Sequence, residues 1–153
     1  MIGLSNNYVE NLSKLCIKNF KSVLPCDLFS KTALNIGEKF IVNLSPSQEK
    51  NGHFVAICVT ENSFTYFDPY GIPCYNPYIL SAFHQRPNFK IDCSKKAIQA
   101  SFSYFCGFFC ICFLICDDMK LTQDQFNSLF YEASCKNENI CIDIIKSHLS
   151  KQI

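Results

Sequence analysis

The chain has 153 residues, a net charge of +1 and a pI near 7.5, with 48% hydrophobic and 14% aromatic residues. This length predicts one domain over residues 1–153, and the composition excludes a disordered chain. The near-neutral charge excludes the standing basic field that drives nucleic-acid binding.

Eleven cysteines are present. Their odd number, and the position of Cys110, Cys112 and Cys116 inside an apolar run, argue against a secreted disulfide framework. No secretory signal is visible at the N-terminus, so we expect a reducing compartment with most thiols free. The cysteine spacing lacks paired C-x2-C knuckles, so we predict no metal site.

The first half of the chain predicts one long helix and three strands. Apolar residues recur at helical spacing over residues 6–23, and residues 27–34 suit a short helix or a turn. Residues 39–44 are rich in strand formers. A hairpin follows, with residues 53–60 and 64–67 as its strands.

The second half predicts mainly helices. A short helix is expected over residues 77–84 and a strand over 89–93. An apolar helix over residues 105–116 is too short to span a membrane, so we expect a buried core helix. Helices are expected over 121–133, where Thr122 and Gln125 form a capping box, and over 140–149.

These elements predict an α+β fold. A single domain would hold a central mixed β-sheet of about four to six strands, flanked by helices. The buried central helix would then begin near Cys106.

Three residues suggest nucleophilic catalysis. A helix N-terminus and a nearby imidazolium both stabilise a thiolate, and Cys106 lies at the expected helix start. His53 begins the first strand of the hairpin and Asp68 ends the second, so the two should lie side by side. Asp68 would orient the imidazole and leave its other nitrogen for sulfur.

Four further residues complete the predicted site. The side-chain NH2 of Gln99 would lie beside the backbone N–H of Cys106 as a second oxyanion donor. Gly107 would admit the substrate backbone, and we also expect substrate contacts from Gly52 and Phe54. Each residue alone has a simpler explanation, such as a core cysteine or a turn aspartate. Their joint occurrence in one order favours catalysis.

The same motifs resemble the adenovirus-type maturation protease family. They are Gly52-His53-Phe54, the run Tyr66-Phe67-Asp68-Pro69-Tyr70-Gly71, Gln99, and the run from Cys106 to Leu114. Trp is usual in the family where Phe54 stands, and Glu is found in the adenovirus enzymes where Asp68 stands. The resemblance covers about residues 38–116 and implies a papain-like, adenain-like cysteine protease fold without a cofactor.

The resemblance also implies a biological setting. Members process virion precursors for DNA viruses and virophages, and relatives occur in self-synthesising Polinton transposons. Partners would be capsid or virion precursor proteins and an activating peptide, whereas DNA gains little support from the charge. We expect a monomer without membrane association, in the host nucleus or cytoplasm and in the virion.

Two alternatives stay open. The same clan contains SUMO-specific proteases, so removal of a ubiquitin-like modifier is the second hypothesis. The third is a catalytically degenerate domain used in packaging or DNA binding.

Overall fold

Five strands form one open sheet in a computed structural model, which describes residues 5–47 and 52–151. The strands are β1 (Phe20–Pro25), β2 (Lys39–Asn43), β3 (Phe54–Val59), β4 (Ser63–Phe67) and β5 (Lys90–Cys93). The helices are α1 (Asn6–Cys16), α2 (Cys26–Phe29), α3 (Pro77–Phe83), α4 (Cys106–Asp118), α5 (Gln123–Asn127) and α6 (Lys136–Ser150).

The sheet is mixed, with strand order β1-β2-β3-β4-β5. β2, β3 and β4 are antiparallel neighbours, while the outer strands β1 and β5 pair in parallel with β2 and β4. The predicted single-domain α+β fold, with a mixed sheet flanked by helices, is confirmed.

The two faces of β3 belong to different cores because side chains alternate along a strand. Phe54, Ala56 and Cys58 pack in the core that contains α4. The alternate residues pack in a second core with residues of α2 and α3. β3 is therefore buried along its whole length.

The helix α4 is the central element on one face of the sheet. Ten of its thirteen residues are buried. The ring of Phe113 stacks on Phe67 of β4 at 4.5 Å, and Phe126 packs edge-on against both rings. These contacts fix α4 against the strand that precedes Asp68.

The predicted helix over residues 6–23 is wrong in its second half. α1 ends at Cys16, Asn19 takes a positive φ of 57°, and the chain then enters β1. Parallel pairing with β2 supplies sheet hydrogen bonds for this segment. The apolar residues at helical spacing, such as Val23, therefore serve a strand that packs on α1.

The prediction for the last helices is wrong in extent. Only Gln123–Asn127 is helical within 121–133, although the capping box of Thr122 and Gln125 is confirmed. Ala133, with a φ of 38°, lies in the connection, and α6 begins earlier than expected, at Lys136. Within residues 5–47 and 52–151, no helix combines the length and the apolarity that a membrane crossing needs.

Candidate active site

Cys106 is the first residue of α4. Unpaired backbone N–H groups at a helix start carry partial positive charge, which favours an anion there. The backbone N–H groups of Phe54 and Gly107 also stabilise an anionic sulfur at this position. The residue is only 9% exposed, so its thiol lies in a recess of the surface.

His53 and Asp68 meet at the open end of the β3–β4 hairpin. His53 directly precedes β3 and Asp68 directly follows β4, as the hairpin predicted. The imidazole Nε2 lies 2.7 Å from the Asp68 Oδ1 atom. Because Nε2 faces the carboxylate, the second ring nitrogen is left for Cys106, which is also a hydrogen-bond partner of His53.

The Asp68 carboxylate is held in place by its surroundings. The residue is 2% exposed, and Oδ1 also accepts the backbone N–H of Tyr70 at 2.8 Å. The Ser94 hydroxyl bonds both the backbone N–H and the carbonyl of Asp68 at 3.0 Å. A buried carboxylate with these partners can orient the imidazole and balance its positive charge.

The two reacting groups shift each other's pKa. Burial lowers the pKa of His53, but hydrogen bonds and charges from Asp68 and Cys106 outweigh it and raise the pKa from 6.5 to about 9. Burial raises the pKa of Cys106, but His53 and the two backbone N–H groups outweigh it and lower the pKa below its usual value of 9.0. The site therefore favours a thiolate–imidazolium pair.

Tyr70 is a site residue to which the sequence analysis gave no role. Its ring stacks on the His53 imidazole, with centroids 4.6 Å apart and planes inclined by 24°. An aromatic face against an imidazolium adds a favourable cation–π contact. The signal was its place in the Asp68-Pro69-Tyr70-Gly71 turn, two residues after the carboxylate.

Gly71 lets this turn pack closely on the loop of residues 96–105, which leads into α4. Its φ is +69°, and a Cβ atom there would lie 2.7 Å from backbone atoms of Lys96 and Ala97. In the same turn, the Pro69 carbonyl accepts hydrogen bonds from the backbone N–H groups of Ile98 and Gln99 at 2.9 and 3.0 Å. The turn and the loop 96–105 are thereby joined.

Gln99 lies on this loop and is 1% exposed. Its Nε2 donates to the Ser103 carbonyl at 2.8 Å, while its buried Oε1 has no hydrogen-bond partner among the described residues. The Gln99 side chain is therefore held by its own loop, which precedes Cys106. Its role as an oxyanion donor stays a prediction.

The three predicted substrate-contacting residues differ in position. Gly52 is exposed, and a Cβ there would come 1.8 Å from the Asn43 Oδ1 atom, so a larger residue would have to displace the Asn43 side chain. The Phe54 side chain is packed in the core at 4% exposure, and its predicted substrate contact stays a prediction. Gly107 is buried as the second residue of α4.

The other thiols differ chemically from Cys106. All eleven cysteines, which all lie in the described part of the chain, are free thiols. Cys110, one turn further along α4, donates its S–H to the Phe54 carbonyl at 3.4 Å, and burial raises its pKa well above the usual value. No group of described residues has the composition and spacing to hold a metal ion.

Comparisons with known proteins give a likeness of fold. No protein-family model matches the chain, and no curated protein matches it. Among solved structures, the central domain of the uncharacterized Lpg1148 protein from Legionella pneumophila matches 100% of both chains at 13% identity, with a TM-score of 0.57. A variant of AvrA solved with IP6 and CoA matches 79% of this chain and 52% of its own, at 16% identity and a TM-score of 0.46.

The resemblance to the adenovirus-type proteases is therefore carried by the motifs of the sequence. The likeness to the Legionella domain concerns the arrangement of helices and strands. The chemistry of the site lies in the side chains around Cys106.

Proposed function

We propose that this protein is a cysteine endopeptidase with Cys106 as the nucleophile and His53 as the general base. The single observation that carries the proposal is the convergence of His53 on both Asp68 and Cys106 at the N-terminus of a buried helix. A helix N-terminus, an oriented imidazole and a lowered thiol pKa are the conditions for an active thiolate.

The reaction would begin with attack of the Cys106 sulfur on the carbonyl carbon of the scissile bond. The backbone N–H of Cys106 and the amide of Gln99 would stabilise the oxyanion, an effect worth roughly 3–4 kcal/mol per donor. The C–N bond then breaks, and the His53 imidazolium gives its proton to the leaving amine. This step leaves a thioester on Cys106.

Hydrolysis of that thioester would close the cycle. His53, now neutral, takes a proton from water as the water oxygen attacks the thioester carbonyl. The carbon–sulfur bond breaks, the acid product leaves, and the thiolate–imidazolium pair returns. Asp68 keeps the same ring nitrogen bonded throughout, so the other nitrogen stays directed at sulfur.

For the substrate, we propose capsid or virion precursor proteins of a virus or a transposon, cleaved after small residues such as Gly. The motif resemblance supports this class. A thiol only 9% exposed, beside the stacked Tyr70 ring, also favours a narrow approach that suits small side chains. The setting would be a reducing compartment of the host cell and the virion, with the protein acting as a monomer.

The test is cleavage by matched variants. Wild-type protein should cut a peptide library at one small-residue motif, and Cys106→Ala should abolish cleavage while the circular dichroism spectrum and melting temperature stay unchanged. Cys135→Ala is the matched control because Cys135 is the exposed free thiol, and it should keep full activity. Activity retained in Cys106→Ala would end the proposal.

A second substrate in the same assay separates the alternatives. A ubiquitin-like modifier with a C-terminal diglycine and a fluorogenic leaving group should be turned over slowly. Fast turnover of the whole modifier, but not of short peptides, would favour a deconjugating protease. No turnover of either, and no labelling by a thiol-reactive peptide probe, would favour the degenerate domain.

A further inference from the structure

The loop 96–105 is bonded along its length to the segment of residues 127–138, which runs from the end of α5 into α6. The Lys96 ammonium donates to the carbonyls of Asn127 and Phe130 at 3.0 and 2.6 Å. The Ala133 N–H donates to the Ala97 carbonyl at 2.8 Å. These bonds fix the beginning of the loop that carries Gln99.

Asn137, in the first turn of α6, continues this set of contacts. Its side chain is fully buried, at 0% exposure. Nδ2 donates to the Ile98 carbonyl at 2.8 Å and to the Tyr131 carbonyl at 2.6 Å, and Oδ1 accepts the Tyr131 N–H at 2.8 Å. One side chain therefore fixes the residue directly before Gln99 to α6.

Glu138, the next residue of α6, holds the other end of the loop through Ser103. The Ser103 hydroxyl donates to the Glu138 Oε1 atom at 2.6 Å, a length typical of a strong bond to a carboxylate. The same hydroxyl accepts the Phe105 N–H at 3.2 Å, and the Ser103 carbonyl accepts the Gln99 amide at 2.8 Å. Ser103 thus joins α6 to both Gln99 and the residue before Cys106.

We propose that Asn137 and Glu138 are positioning residues that hold the two oxyanion donors in register. This inference rests on the proposed peptidase function. Oxyanion stabilisation depends on donors fixed before the reaction, and a displacement of about 1 Å far from the chemistry can cost about 100-fold in rate. Neither residue needs to contact substrate, since both act through the loop 96–105.

The test compares two changes at one position. Glu138→Ala removes the acceptor for Ser103 and should lower kcat about 10- to 100-fold with KM nearly unchanged. Glu138→Gln keeps a side-chain oxygen for the same bond and should restore most of kcat. Glu132→Ala, at an exposed glutamate shortly before α6, is the matched control and should behave as wild type.

A second readout separates positioning from general damage. The rate at which iodoacetamide alkylates Cys106 at neutral pH depends on the thiolate, which His53 and the backbone N–H groups of Phe54 and Gly107 stabilise, and not on the oxyanion donors, so Glu138→Ala should leave it unchanged. If Glu138→Ala does not fold, Ser103→Ala removes the same bond from the other side, together with the acceptor of the Phe105 N–H, and keeps the carbonyl that Gln99 needs. It should lower kcat at least as much.

The outcomes distinguish this proposal from the function on which it rests. Wild-type protein without turnover, whose Cys106 alkylates no faster than exposed Cys135, would overturn both. Active wild-type protein with full kcat in Glu138→Ala or Ser103→Ala would overturn only the positioning role. So would a Glu138→Gln variant as slow as Glu138→Ala, or a parallel loss of Cys106 alkylation.

Discussion

Replacing Asp68 by Asn should separate the electrostatic role of this residue from its structural role. Asn keeps the size of the side chain and an oxygen that can accept the N–H groups of Tyr70 and His53. The negative charge beside the imidazole is lost. The backbone bonds to Ser94 do not involve the side chain and should persist.

The magnitude follows from the pKa of His53. Burial lowers this pKa, yet its partners raise it from 6.5 to about 9, with Asp68 the foremost of them. The difference corresponds to about 3 kcal/mol in favour of the imidazolium, because one pKa unit is about 1.4 kcal/mol. If Asp68 supplies more than half, Asp68→Asn should reduce the equilibrium constant between the thiolate–imidazolium pair and the neutral pair by about 10- to 100-fold.

The assay is the pH dependence of Cys106 alkylation by iodoacetamide, followed by mass spectrometry of the peptides. In the wild type, Cys106 should react at a lower pH than an ordinary thiol, while exposed Cys135 serves as an internal reference. In Asp68→Asn the Cys106 profile should move to higher pH, and in Asp92→Asn, an exposed control, it should not. An unchanged profile in Asp68→Asn would refute the argument.

Four further outcomes are expected. The value of kcat/KM should fall at pH values below the lowered pKa of Cys106, where the thiolate is lost. It should fall again above pH about 9, where His53 loses the proton that it gives to the leaving group. A flat pH profile would contradict the ion pair. Gly71→Ala should lower the free energy of unfolding by more than about 1 kcal/mol and reduce activity. The reason is that the φ of Gly71 is +69° and the new Cβ would lie 2.7 Å from the loop 96–105. Chemical denaturation measures the stability, and a variant as stable as the wild type would contradict this packing. Lys120→Gly should raise the free energy of unfolding by about 1 kcal/mol without changing activity. Lys120 takes a φ of 68° just after α4, and its N–H donates to the Asp117 carbonyl in the turn that ends the helix, a position that favours glycine. A loss of stability would contradict this. Cys110→Ala should destabilise the protein by about 1–3 kcal/mol, because it leaves a cavity and removes the S–H donor of the Phe54 carbonyl. A melting temperature equal to that of the wild type would show that this hydrogen bond contributes nothing to stability.

The hairpin and the central helix could be predicted from local patterns. Gly52-His53 and Asp68 lie at the ends of two short strands joined by a tight turn, so their proximity follows from the hairpin alone. The apolar run after Cys106 is typical of a buried helix, and α4 begins at that residue. These patterns are local in sequence, and the α+β fold follows from their order.

The strand β1 could not be predicted in this way. Its apolar residues continue the helical spacing of α1, and the deciding interaction is pairing with β2, which lies well along the chain. The helix predicted over residues 121–133 extends too far for a related reason, since α5 ends at Asn127. Ala133 instead donates its backbone N–H to the loop 96–105, a contact that no local pattern encodes.

The site shows the same division between local and distant contacts. His53, Asp68 and Cys106 carry local signals: strand ends, a turn and a helix start. Asn137 and Glu138 carry none, because their partners Ile98 and Ser103 lie on a distant loop. Residues that position a site from another element need the fold before they can be recognised.

The most direct test of the central claim is covalent trapping with a peptide vinyl sulfone that ends in a small residue, followed by mapping of the adduct. We predict one adduct, on Cys106, and its loss in His53→Ala. An adduct confined to exposed Cys135, or labelling of Cys106 at the same rate in His53→Ala, would contradict a thiolate activated by the imidazole.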